Sequence, residues 1–171
     1  MPSPAILHTV ALPTPAGEFH AHFSADGLAR LDFPQRRSDS SIAGPSALPA
    51  PFRSWAETTK AALLEALGNR MSAVSPALPP LDLAGATPFR RRVWGELRRI
   101  PRGTTRSYGQ VADDLGKRRA ARAVGGACGA NPVPVLIPCH RVLAANGRLG
   151  GFSGGLDWKR RLLAIEGVLL T

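Results

Sequence analysis

Apolar and polar positions change their period once along this chain. Within residues 5–33, "ILHTVAL", "GEFHAHF" and "LARLDF" read as short strands, and "PTPAG" and "SADG" between them supply turn residues. The expectation is a three-stranded meander. Residues 35–51, "QRRSDSSIAGPSALPAP", are polar and rich in Pro and Ser, as a surface loop is, and carry no motif. "FRSWAETTKAALLEALG" then sets Phe52, Trp55, Thr59, Ala62, Leu63 and Ala66 at helical spacing and stops at Gly68, so these side chains are read as core.

The Pro- and Ala-rich stretch at residues 72–88 marks a boundary near Pro80 to Ala86, dividing the chain into lobes at residues 1–84 and 85–171. Beyond it the spacing is helical. Thr87 and Pro88 form a helix-start pair, because proline at the first helical position forfeits only a donor that has no partner there. Phe89, Val93, Trp94, Leu97 and Ile100 make one stripe, ended by "PRG". In "SYGQVADDLG", Ser107 and Gln110 stand at capping-box spacing, Tyr108, Val111, Ala112 and Leu115 form the buried face, and Gly116 terminates the helix. After a basic turn, "AARAVGGACGAN" sets Ala120, Ala123, Val124, Ala127 and Cys128 at helical spacing. Two short helices joined by a tight turn are a helix-turn-helix candidate. A last helix, "DWKRRLLAIEG", is expected to start at Asp157, bury Trp158, Leu162 and Ile165, and end at Gly167.

With 171 residues, 44% of them hydrophobic, the chain is long enough to bury a core without staples. The first residues lack a basic opening followed by an apolar block. No apolar run approaches the ~18 residues of a membrane span, so the expectation is a cytoplasmic protein with no membrane partner. Its two cysteines, Cys128 and Cys139, match no zinc spacing and make no disulfide framework; both are read as free thiols in a reducing compartment. The charge is unevenly placed: residues 1–84 hold six Lys or Arg against seven Asp or Glu, and residues 85–171 hold sixteen against five. A solvated surface accounts for any single run such as Arg90 to Arg92. Asymmetry across a whole half instead favours a polyanion, nucleic acid first and an anionic membrane surface second.

Candidate chemistry concentrates in "NPVPVLIPCHRV", which presents Cys139 beside His140 and Arg141 after an extended apolar segment. Such a cysteine is either an inert buried residue or a nucleophile. A neighbouring His or Arg can lower a thiol pKa from ~8.5 toward neutrality, each unit being worth ~1.4 kcal/mol. A histidine cannot easily serve as base for its immediate neighbour without a third group to orient it, and Glu166 in the last helix is the candidate carboxylate. Gly125 and Gly126 each cost roughly 1 kcal/mol against Ala inside a helix. The compensating benefit is either tight helix packing or close approach to a nucleic acid groove, with Arg122 the one long side chain between Ala121 and Ala123. "LAANGRLGGFSGG" is either a plain hairpin or a loop that folds round a flat ligand with Phe152 as stacking face. His20 and His22 share one strand face but have no Cys, Asp or Glu at ligand spacing, and His8 is unsupported, so no metal is assigned.

"IPCHRV", preceded by "ARAVGGACGANPVPVL" and followed by "GGFSGG" and "LLAIEG", resembles the O6-alkylguanine-DNA alkyltransferases, also called methylated-DNA-protein-cysteine methyltransferases. The likeness runs from "TPFRRRVWGELRRIPRGTTRSYGQVA" to "LLAIEG", about half the chain, and the first lobe matches only loosely. It implies an α/β (α+β) fold with a ribonuclease-H-like sheet-and-helix first lobe and a mainly helical second lobe containing the helix-turn-helix. It further implies that Cys139 attacks the alkyl carbon on guanine O6, or on O4 of alkylthymine, and keeps it irreversibly as a thioether. By the same likeness His140 takes the thiol proton through a water, Glu166 polarises His140, and Asn131 ties the turn below the site to the recognition helix. Tyr108 protonates the leaving base. Backbone groups near Val142 and Ser153 read the base edge, with Phe152 stacking. Arg122 enters the base stack where the nucleotide is flipped out, and Ala121, Ala123, Gly125 and Gly126 give a smooth helix facing the minor groove of double-stranded DNA. The implied protein works as a monomer without cofactor.

Phe152 stands where some relatives carry tyrosine, Ala130 where glycine is frequent, and Cys128 adds a second thiol, read as a small buried residue. The cysteines of the zinc site in some relatives' first lobe are missing, so no structural metal is expected. Two other classes stay open: a nonenzymatic binder of alkylated DNA, which the presence of Cys139 argues against, and a thiol hydrolase, which leaves the basic half and Arg122 unexplained.

Overall fold

The computed structural model describes residues 4–34, 42, 44–68 and 77–170, in two compact units, Met1–Gly85 and Ala86–Thr171. Residues 35–41 and 43 of the expected polar loop, and residues 72–76 of the expected boundary stretch, lie outside the described residues. The fold is mixed α/β.

In the first unit, β1 (His8–Thr14), β2 (Gly17–Ser24) and β3 (Gly27–Asp32) form an antiparallel sheet in the order β1-β2-β3, and α1 (Phe52–Leu67) packs against it. Period-two alternation sends Phe19, Ala21 and Phe23 to one face, where they lie fully buried, as Ala56, Thr59, Ala62 and Leu63 of α1 are. Each such phenylalanine or leucine contributes ~1.5–3 kcal/mol of burial. The β2–β3 turn needs glycine: Gly27 has φ +141, and a Cβ there would lie 2.2 Å from the carbonyl oxygen of Pro80, which accepts from Leu28 N.

The opposite face of β2 corrects the reading of its histidines. No acidic residue was read at ligand spacing, but two carboxylates meet these rings, Glu18 from two residues earlier on the same strand and Asp32 from across the β2–β3 register. His22 Nε2 lies 2.9 Å from Asp32 Oδ2 and its Nδ1 2.9 Å from Thr9 Oγ1, while His20 Nε2 lies 3.3 Å from Glu18 Oε1. The carboxylates engage the rings as hydrogen-bond acceptors. No group of three or more His, Cys, Asp or Glu that could hold a metal occurs among the described residues.

The second unit holds α2 (Pro88–Leu97), β4 (Arg106–Ser107), α3 (Tyr108–Asp114), α4 (Ala121–Gly129), β5 (Val142–Leu143) and α5 (Leu156–Ile165). Local chemistry sets their ends. The Thr87 side chain accepts from Arg90 N with Pro88 at the first helical position, and Ser107 and Gln110 complete the capping box of α3 in both directions. Trp94, 2% exposed, donates its indole N–H to the carbonyl of Ala127 at 2.8 Å and so pins α2 to α4.

Short strands β4 and β5 pair in parallel, Arg106 with Val142 and Ser107 with Leu143, which carries the chain after Cys139 back beside the start of α3. Helix α5 begins at Leu156 after Gly155, one residue before the expected Asp157. Its buried face is Lys159, Leu162 and Leu163; Trp158 and Ile165, expected in the core, are half-buried. Among the described residues no helix is long and apolar enough to cross a membrane.

Candidate active site around Cys139

The chain reaches Cys139 through a strained turn. Val135 has φ +73, the left-handed region, which costs a β-branched residue ~1–3 kcal/mol and persists only where the surroundings impose it. Asn131, buried at the end of α4, supplies that constraint. Its Nδ2 donates to the carbonyl of Ile137 at 2.8 Å and to Cys139 Sγ at 3.1 Å, and its Oδ1 accepts from Val133 N at 3.0 Å. One amide thus ties the loop to itself and to the sulfur.

Cys139 is only 3% exposed. This corrects the expected direction of titration. Burial pushes the thiol up, and the Asn131 hydrogen bond and the Lys159 charge offset this only in part, so the resting group is a thiol. Cys128 is buried as well, its thiol pushed up to about 12 by burial and by the nearby Cys139.

His140 is 1% exposed. Its Nε2 lies 2.9 Å from Glu166 Oε1, and its Nδ1, buried too, has no hydrogen-bond partner among the described residues. Burial lowers the imidazole from its usual range, with Arg141 and Lys159 acting in the same direction and Glu166 opposing them. For Glu166, burial alone would raise the carboxyl, but hydrogen bonds and charges from His140 and Arg141 outweigh it and hold the group at about 2. The pair therefore rests as a neutral imidazole donating Nε2–H to a carboxylate, with Nδ1 carrying a lone pair.

Tyr108, half-buried at the start of α3, lies between α4 and the glycine-rich loop. A Cβ at Gly125 would meet its ring at 3.9 Å, and one at Gly150 would meet its hydroxyl at 2.8 Å. Burial, then Cys128 and Cys139, push its phenol up. Asn131 and Cys139 are in direct contact, as are His140 and Glu166; Tyr108 is near enough to both cysteines that their ionisation and its own oppose each other.

Val142 is buried, its N–H donating to the Cys139 carbonyl, while Phe152 is half-buried and Ser153 exposed. On α4, Arg122, Ala123 and Gly126 are exposed and Ala121 and Gly125 half-buried, away from the buried Val124, Ala127 and Cys128. Packing inside the chain does not require the two glycines, since a Cβ on Gly126 would meet nothing within 4 Å and one on Gly125 only ordinary contact.

Three further groups complete the site: Lys159 and Gly103 were not anticipated, and Arg141, expected to act on the thiol, meets Glu166 instead. Lys159, 0% exposed, donates to the carbonyl of Val142 at 2.7 Å and to that of Leu149. Its sequence signal was available: Lys159, Leu162, Leu163 and Glu166 stand at i, i+3, i+4 and i+7, one helix face with a charge at either end. Arg141 contacts both oxygens of Glu166, and the backbone N–H of Gly103 reaches Oε2 at 3.3 Å. Nothing in the local sequence links Gly103 to Glu166.

Comparison with known proteins bears on this arrangement. Residues 88–168 match the 6-O-methylguanine DNA methyltransferase, DNA binding domain. Over 86 residues, half of this chain, the sequence is 56% identical to the methylated-DNA–protein-cysteine methyltransferase of Mycolicibacterium paratuberculosis and 55% identical to that of Salmonella typhimurium. Those matches span only about half the length of these curated relatives, 52% and 50%. Similarity in structure extends further. The Mycobacterium tuberculosis OGT solved in complex with DNA has a TM-score of 0.73 at 33% identity, covering 94% of this chain and 93% of that one. The O6-methylguanine-DNA methyltransferase of Pyrococcus kodakaraensis has a TM-score of 0.63 at 27% identity over 94% and 99%. A likeness of sequence and fold that spans both units, and includes the residues gathered round Cys139, means that this chain belongs to the O6-methylguanine-DNA methyltransferase family.

Proposed function

We propose that the protein repairs alkylated DNA by moving the alkyl group from guanine O6, and from O4 of thymine, onto its own Cys139, once per molecule. The observation that carries this reading is the buried thiol held by Asn131 in the same loop as a buried imidazole with one nitrogen committed to Glu166 and the other without a partner among the described residues. Because burial keeps the thiol protonated, a base must act during the reaction itself. The proton leaves Sγ for Nδ1 of His140, through a water, as the sulfur bonds to the alkyl carbon. The carbon–O6 bond breaks with its electron pair going to the purine, which takes a proton from the Tyr108 hydroxyl. A thioether remains, and no step regenerates the thiol.

The duplex is bound by α3 and α4 acting as a helix-turn-helix, with α4 in the minor groove. Glycines at 125 and 126 that internal packing does not need support close backbone approach to the sugar-phosphate rim. Flipping the damaged nucleotide out costs a few kcal/mol, and the exposed Arg122 fills the gap. The Val142 carbonyl already accepts from Lys159, so a bound base meets its second lone pair. The M. tuberculosis relative was solved with DNA, in keeping with this partner. No cofactor takes part, and the protein acts as a monomer.

Intact mass after mixing with O6-benzylguanine separates the readings. Transfer predicts one benzyl adduct per chain and then no further reaction. Continued turnover would indicate hydrolysis, and an unmodified chain that still binds alkylated duplex would indicate recognition alone.

A further inference from the structure

Glu166 receives more donors than a partner for His140 requires. Oε1 lies 2.9 Å from His140 Nε2, 2.9 Å from an Arg141 terminal nitrogen and 3.2 Å from Arg141 Nε; Oε2 lies 3.0 Å from Arg141 Nε and 3.3 Å from Gly103 N. The other terminal nitrogen of Arg141 donates to the Ile100 carbonyl at 2.6 Å, which fixes the guanidinium in place. Both side chains of the ion pair are largely withdrawn from water, 15% exposed for Arg141 and 3% for Glu166. A buried carboxylate beside an imidazole would otherwise draw a second proton onto the ring, because its charge is compensated best by an imidazolium. An imidazolium has no lone pair with which to accept from a thiol.

We propose that Arg141 is a positioning residue: by neutralising Glu166 along both of its oxygens, it keeps the ring proton on Nε2 of His140 and leaves Nδ1 as the neutral, proton-accepting atom. This rests on the reading of His140 as the base for Cys139. The charged groups acting on the ring are Glu166 at the end of α5, Arg141 on its own turn and Lys159 of α5; Lys159 is common to every variant below. Losing the Arg141 charge leaves Glu166 less compensated and removes a repulsion of the imidazolium, and both effects raise the His140 pKa. The neutral base then forms only at higher pH.

The first measurement needs no transfer and no variant of Arg141. Ring nitrogen shifts of His140, assigned by their loss in His140→Asn, should report a protonated Nε2 and a lone pair at Nδ1 at neutral pH; an Nδ1–H tautomer or a ring already doubly protonated would overturn the proposal. The second is the pH profile of single-turnover transfer from O6-benzylguanine. In Arg141→Gln the acid limb, and with it the ring titration, should move up by about one pH unit or more, whereas Arg141→Lys, which keeps the charge, should stay near the wild-type position. A uniform loss of rate with an unmoved limb, or an equal shift in both variants, would reduce Arg141 to a structural contact. If the wild type gave no transfer at all, the base reading would fail while the ring measurements still judged Arg141.

Discussion

Removing the Asn131 side chain tests how much one buried amide does. In Asn131→Ala the Val133 N–H, on a residue with no exposed surface, loses its acceptor and finds no water, at a cost of about 1–3 kcal/mol. The Ile137 carbonyl keeps its bond from Cys139 N at 2.8 Å, so that group adds little. The lost side-chain volume and the freeing of the strained Val135 turn bring the total to about 2–4 kcal/mol. Thermal unfolding followed by circular dichroism should show the midpoint down by about 5–15 °C. Transfer suffers separately: a hydrogen bond to a charged acceptor contributes about 1.5–3 kcal/mol, so losing the donor to the developing thiolate should slow benzyl transfer about 10- to 150-fold. Asn131→Asp separates shape from chemistry. It can still accept from Val133 N, but at neutral pH it donates to neither Ile137 nor the sulfur and sets a negative charge beside a forming anion. Its transfer should be slower than that of the alanine variant. An aspartate variant reacting at the wild-type rate would refute the donor argument, and an alanine variant as stable as the parent would refute the account of the turn.

Other expectations concern different parts of the site. Gly150→Ala places a methyl 2.8 Å from the Tyr108 hydroxyl at a position with φ +63, so it should cost about 1–2 kcal/mol of stability and reduce benzyl transfer by displacing the tyrosine; competition between methyl and benzyl substrates checks this. Glu166 falls from 4.5 in the unfolded chain to about 2 when folded, so its contribution of about 3 kcal/mol is complete above pH ~4.5 and declines as the pH drops toward ~2. The midpoint gap between wild type and Glu166→Gln should narrow across that window. Arg122→Ala should weaken repair in duplex DNA more than reaction with free O6-benzylguanine, and equal losses on both substrates would count against insertion into the base stack.

Helices and strands were legible where local chemistry sets them. Thr87–Pro88 and Ser107/Gln110 cap α2 and α3 as their spacing predicts, and the meander follows from alternation and turn residues. Charge was where a one-dimensional reading failed. Sequence patterns assume that Lys, Glu and Asp face water, which is usually so; α5 and its C-terminal cap instead bury Lys159 and Glu166, because the carbonyls of Val142 and Leu149 and the Arg141 guanidinium meet them there. Likewise, a thiol next to His and Arg reads as activated. The fold sends Arg141 to Glu166 rather than to the sulfur and buries Cys139, so the neighbours in sequence are not the neighbours that set its titration. The Asp32–His22 contact was hidden for the same reason, since ten residues of chain separate partners that the β2–β3 register places together.

The central claim is that one buried sulfur accepts the alkyl group and keeps it. Incubating the protein with a duplex carrying a single O6-methylguanine, then mapping its peptides by mass, should place one methyl on Cys139 and none on Cys128, with guanine restored in equal amount. A duplex repaired without a methylated chain, or a methyl found on Cys128, would contradict it.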